Sequence, residues 1–62
     1  MRITLNGEPA TTPAATVHEL LGELPDGQAV AINGEVVPRS AHAEHRLADG
    51  DEVEVVQAVA GG

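Results

Sequence analysis

The chain opens on "RITLN", in which Ile3 and Leu5 alternate with Arg2 and Thr4, the period of a strand that buries one face. Asn6-Gly7 follows, a pair that accepts the positive φ angles of a two-residue hairpin turn. The return strand "EPATT" is polar and holds Pro9, which brings no N–H to a ladder and so suits the edge of a sheet. The period then changes. In "TVHELLGEL", Val17, Leu20, Leu21 and Leu24 recur at helical spacing as one apolar stripe, with Thr16 and Glu19 placed as a capping box. This pattern predicts a helix that stops near Leu24, where Pro25 removes a donor and Gly27 offers a left-handed exit. Gly22 then lies inside the helix, at a cost of up to about 1 kcal/mol relative to alanine.

"QAVAINGEVV" predicts a strand with Val30 and Ile32 inward, a second Asn-Gly turn at Asn33-Gly34, and a short return strand at Val36 and Val37 closed by Pro38. "RSAHAEHRLADG" is polar and irregular as far as Leu47, which is expected to plug the core, and Asp49-Gly50 makes a third turn. The last strand, "DEVEVVQAV", sets Val53 and Val55 on one face and Val56 and Ala58 on the other. The order is ββαβββ. A right-handed crossover through the helix brings the first and last strands side by side and parallel. The predicted class is α+β: a mixed sheet of four or five strands covered on one face by one helix, the β-grasp arrangement. It is expected as a single domain over residues 1–59 with a flexible tail at 60–62; a ferredoxin-like fold needs a second helix, which the pattern lacks.

Composition limits what such a domain can be. With 62 residues it buries only about 60% of the surface its unfolded chain exposes. There is no Phe, Tyr or Trp, so the core is assembled from Val, Leu, Ile and Ala, and with no cysteine and three histidines neither a disulfide nor a metal staple is indicated. A formal charge of −7, with Arg2, Arg39 and Arg46 as its only Lys or Arg, disfavours binding to a phosphate backbone. It fits a solvated surface and docking against a basic partner. No stretch approaches the roughly 20 apolar residues of a membrane span, and "MRITLNGE" turns polar too soon for a secretion signal, so the expected compartment is the cytoplasm.

The end of the chain carries the candidate chemistry. Val56 and Ala58 fall on the sheet face the helix does not cover, an apolar strip beside acidic residues that suits docking. Ala60, Gly61 and Gly62 follow directly, and at average usage two terminal glycines arise by chance roughly once in 200 chains. Gly62 would offer an α-carboxylate, with a pKa near about 3.5 and therefore ionised at neutral pH. A carboxylate is a poor acyl donor, so a partner enzyme would have to convert it to a mixed anhydride with AMP, which a sulfur nucleophile then displaces. Lacking a Cβ, glycine passes a narrow channel and presents its carbonyl from either side. Gly62 is thus the candidate acyl group, and Ala60 and Gly61 its slender approach. Without a cysteine, any sulfur this chain carries must sit on its end.

The stretches "ITLNGE", "TVHELL", "VAINGEVVPRS" and "LADGDEVEVVQAVAGG" together cover nearly the whole chain, and with them the sequence resembles the thiamine-biosynthesis sulfur carrier proteins. That resemblance implies a ubiquitin-like β-grasp whose terminal glycine is adenylylated and then made into a thiocarboxylate. It implies Gly62 as the modified residue, Gly61 as its neighbour, and transfer of the sulfur into a thiazole ring. The implied partners are an ATP-dependent adenylyltransferase of the ubiquitin-activating type, a thiazole synthase, and a sulfur donor such as a cysteine desulfurase. The chain would be a substrate of enzymes with no turnover and no cofactor of its own. Arg39 becomes a docking candidate only through the resemblance; as a residue it fits a plain surface ion pair equally well.

Other functions are compatible with parts of the chain. The small subunit of molybdopterin synthase is also a β-grasp sulfur carrier ending in Gly-Gly, but such chains are usually longer and contain aromatics, and the short "LPDG" link here favours the thiamine branch. A ubiquitin-like binding module whose tail is never activated would keep its affinity when the tail is removed. His42 and His45, near Glu44, fall short of the three or four protein ligands zinc usually takes and are read as parts of a solvated loop. Glu19, Glu52 and Glu54 form no acid-base pair in a cleft, and turn geometry alone accounts for both Asn-Gly pairs.

Overall fold

The computed structural model describes residues 1–57. Its elements, in chain order, are β1 (Arg2–Leu5), β2 (Glu8–Thr11), α1 (Val17–Leu21), β3 (Gln28–Ile32), β4 (Glu35–Val37), a 3-10 turn (Arg39–Ala41) and β5 (Glu52–Gln57). The five strands form one mixed sheet in the order β2-β1-β5-β3-β4. β1 and β5 run parallel at its centre, as the crossover through α1 requires, and the other pairs are antiparallel. β2, with Pro9, lies at one edge. Both Asn-Gly turns adopt the double positive φ expected of a tight hairpin, +51° and +84° at Asn6-Gly7 and +52° and +85° at Asn33-Gly34.

Alternation sorts the side chains. Ile3, Val30, Ile32, Val37 and Val53 point to the face that α1 covers, where Ala14, Val17 and Leu47 complete the buried cluster. The largest side chains wholly out of water are three valines, Val17, Val30 and Val53. Each contributes about 1.5–3 kcal/mol of burial, which leaves a small core with little surplus. Leu47 fills the position expected of it, and Ala14, which no pattern singled out, is buried beside it.

The helix departs from expectation at its end. It stops at Leu21, and Gly22 is its cap, with φ 67° and ψ −155° and an N–H that donates to the His18 carbonyl at 2.7 Å. That backbone conformation is essentially open to glycine alone, so Gly22 ends the helix instead of weakening its interior. Leu24 still packs on the core from beyond the helix, and the positive φ of Gly27 serves the turn that enters β3.

Five residues cannot hold a helix in water unaided. The polar segment after β4 supplies what α1 needs: His45 and His42 carbonyls accept the N–H groups of Val17 and His18, each at 3.0 Å. Thr16 Oγ1 accepts from the Glu19 N–H at 3.1 Å, and Glu19 Oε1 reaches back to the Ala15 N–H at 2.7 Å, so the capping box closes one residue wider than expected. His42 is a correction to the solvated-loop reading. It is buried, and its Nε2 lies 3.1 Å from the Val37 carbonyl, tying the segment to the end of β4.

Candidate functional site

β5 carries the chain toward its end, and the rest of the fold grips it. On one side β3 pairs with it from Ile32 opposite Val53 to Gln28 opposite Gln57. On the other side β1 pairs only as far as Leu5 opposite Val53. The two asparagines then add side-chain bonds. Asn33 Oδ1 accepts the Glu52 N–H at 2.9 Å while its Nδ2 donates to Asp51 Oδ1 at 3.0 Å, and Asn6 Oδ1 accepts the Val55 N–H at 2.9 Å. Turn geometry is therefore only half of what these residues do. The sequence shows two good hairpin turns; it does not show that both flank the same strand.

The face opposite α1 has an apolar strip with an acidic border. Val56 lies opposite Ala29, and Val36 and Glu54 both lie opposite Ala31, so these residues share the outer face. Val36 is 66% exposed and Val56 38%, the two large apolar side chains the sheet presents to solvent among the described residues. Glu52 and Glu54 precede Val56 on the same side of β5, both exposed. Val56 thus stands where alternation put it. Val36 joins it, an assignment the Asn33-Gly34 turn makes readable once the register Ala31 to Val36 is counted.

Arg39 opens the 3-10 turn that follows β4, two residues after Val37, which pairs with Val30. Its guanidinium donates to the carbonyls of Leu24 at 2.7 Å and Pro25 at 3.1 Å, which holds the link between α1 and β3. A shallow depression of about 240 Å³ lies beside it, lined in part by His18, Glu23, Leu24, Ser40 and His42. The His42 ring and the Arg39 fork are both already bonded to main-chain carbonyls there, so the depression does not assemble free groups for catalysis. Among the described residues no set of three His, Cys, Asp or Glu side chains is placed to hold a metal ion, and no helix is long and apolar enough to cross a membrane. Ala58, Ala60, Gly61 and Gly62 lie outside the described residues.

A short five-stranded sheet with a single covering helix and a central β5 leading to Gly-Gly narrows the comparison sharply. The sequence model of the ThiS family matches residues 3–62. The chain belongs to the ThiS family. It is 42% identical to the sulfur carrier protein ThiS of Escherichia coli, over the full length of both chains. A thiazole synthase from Paramagnetospirillum magneticum is also 42% identical over the whole of this chain, which spans 20% of that longer protein. The crystal structure of the thiamine biosynthesis protein ThiS from Geobacter metallireducens superposes with a TM-score of 0.82 at 36% identity, covering both chains completely. A solution structure of a Geobacter metallireducens thiamine biosynthesis protein gives 0.71 at the same identity, over all of this chain and 88% of the other. The α+β β-grasp class predicted from the pattern, which the resemblance made ubiquitin-like, is thus the fold of ThiS.

Proposed function

We propose that this chain, a sulfur carrier protein of thiamine biosynthesis, carries its sulfur on the carbonyl carbon of Gly62 as a thiocarboxylate. The observation that supports this most is the full-length family match, which runs through Gly61 and Gly62 in a chain that has no cysteine. With no thiol side chain available, sulfur held in a transferable acyl form must sit on a carboxyl, and the family match through Gly61 and Gly62 favours that of Gly62. In the proposed sequence an adenylyltransferase first joins the Gly62 carboxylate to the α-phosphorus of ATP, with loss of pyrophosphate. A persulfide on a donor such as a cysteine desulfurase then attacks the carbonyl carbon through its outer sulfur and expels AMP. A thiol of the donor or a small-molecule thiol attacks the donor's sulfur in the resulting acyl disulfide, forming a new disulfide and releasing the Gly62 thiocarboxylate. Thiazole synthase finally receives the sulfur. The chain acts throughout as a substrate, in the cytoplasm.

The outer sheet face is the proposed dock for both enzymes. Val36, Ala31, Ala29 and Val56 give it an apolar centre, Glu52 and Glu54 an acidic border that favours a basic partner surface, and Ala58 continues the strip by alternation. Arg39 is proposed as a rim contact. Two carbonyls fix its guanidinium through Nη1 and Nη2, and an arginine has five N–H donors, so donors remain for a partner's carboxylate. Ala60 and Gly61 are the proposed segment within the partner's channel, where small side chains ease passage.

The test is a chain shortened by Gly62, given ATP and the adenylyltransferase. The expected result is loss of pyrophosphate release with an unchanged melting temperature. Pyrophosphate release equal to that of the intact chain would contradict the assignment of Gly62.

A further inference from the structure

β5 is held asymmetrically, and one side chain makes up the difference. The parallel ladder between β1 and β5 runs through the Thr4 N–H to the Asp51 carbonyl and the Asn6 N–H to the Val53 carbonyl, both at 2.9 Å. Continued by one step, it would send the Val55 N–H to the main-chain carbonyl of residue 6. The hairpin turn prevents that, because Asn6 has φ +51° and the chain is already leaving the sheet. Asn6 Oδ1 stands in for the lost carbonyl and accepts the Val55 N–H at 2.9 Å. Val55 is consequently the last described residue of β5 held from both sides; at Val56 and Gln57 only β3 pairs with the strand.

We propose that Asn6 is a positioning residue for delivery of Gly62, setting the direction in which β5 leaves the sheet without touching the reacting atoms. The proposal rests on the reading of Gly62 as the activated residue. Gly62 is seven positions beyond Val55, a reach of at most about 25 Å, so the setting of Val55 governs where the chain enters a partner's channel once the sheet face is docked. Reacting groups must be held closely: a misplacement of about 1 Å is able to cost about a hundredfold in rate. Asn33 provides the control. It also occupies an Asn-Gly turn with positive φ and also accepts a β5 N–H at 2.9 Å, but from Glu52, at the end of the strand remote from the tail.

The experiment uses the full chain with its adenylyltransferase and ATP. Asn6→Gly keeps the turn and removes the acceptor; Asn33→Gly keeps its turn and removes the acceptor at the far end together with the bond to Asp51; Asn6→Asp keeps an acceptor oxygen at Asn6's place. For Asn6→Gly the expected result is a fall in kcat of about five- to tenfold, the scale of one hydrogen bond's net contribution, with KM within about twofold because the dock is untouched. Exchange of the Val55 amide should quicken in the same variant. Asn6→Asp should recover most of the rate, and Asn33→Gly, which loses two bonds, should lose at least as much melting temperature as Asn6→Gly yet keep the kcat of the unmutated chain. Equal kcat in the two glycine variants, whether both fall or neither does, would reduce Asn6 to a structural role and overturn the inference, leaving the assignment of Gly62 intact. An unmutated chain that releases no pyrophosphate would instead overturn that assignment and this inference with it.

Discussion

At the scale of single residues, Gly22 separates what the pattern implies from what the fold does with it. Read as part of the helical stripe, it is a weak interior residue, and alanine there should stabilise the protein by up to about 1 kcal/mol. In the structure its φ of 67° and ψ of −155° make it the residue that ends α1, and a Cβ would meet no neighbour but would force a strained backbone. Gly22→Ala is therefore expected to destabilise the domain by about 1–3 kcal/mol, measured by chemical denaturation. A stabilised variant would mean that the helix runs on past Leu21. Asn6 and Asn33 teach a related lesson: their turn role was legible from the Asn-Gly pairs, whereas their bonds to Val55 and Glu52 depend on which strand lies alongside. His42 was illegible for a similar reason, since a polar run around it hides a ring that bonds the Val37 carbonyl.

Among the elements, the strands were the most readable, because alternation fixes a face and the two Asn-Gly turns fix a register. The central parallel pair β1 and β5 followed from the crossover alone. The segment between Arg39 and Leu47 was not readable in the same way. Its main service to the fold comes from the carbonyls of His42 and His45, which accept the first N–H groups of α1, and a main-chain carbonyl leaves no mark in a pattern of side chains. Only Leu47 announced itself, as an apolar residue alone among polar ones. It anchors that segment to the core, with its N–H on the Ala15 carbonyl at 2.9 Å and its neighbour Arg46 bridged to Thr16. Leu47→Ala should cost about 2–5 kcal/mol by the usual penalty for emptying a buried leucine site, and protection of the Val17 and His18 amides should fall with it. Loss of stability with those two amides still fully protected would show that Leu47 does not hold the segment against α1.

For the whole molecule, the fold divides its two faces between separate tasks. The inner face spends the apolar positions of four strands and α1 on a small aliphatic core, and the outer face leaves Val36 and Val56 in water beside Glu52 and Glu54. Val56→Lys is expected to weaken association with the adenylyltransferase at least about tenfold, the scale set by placing a charge in an apolar contact, with no more than a small change in melting temperature. Unchanged affinity by titration calorimetry would remove the outer face from the proposed dock. The family relationship supports the larger statement, that a chain without cysteine serves sulfur transfer, and β5 is the element that connects the folded domain to the glycines assigned to that task. Its most direct test is the intact mass of the protein after incubation with ATP, the adenylyltransferase and a sulfur donor, followed by fragmentation. A gain equal to the replacement of one oxygen by sulfur, localised to Gly62, is the predicted result. An unaltered mass at Gly62, with both enzymes active on a known carrier, would contradict it.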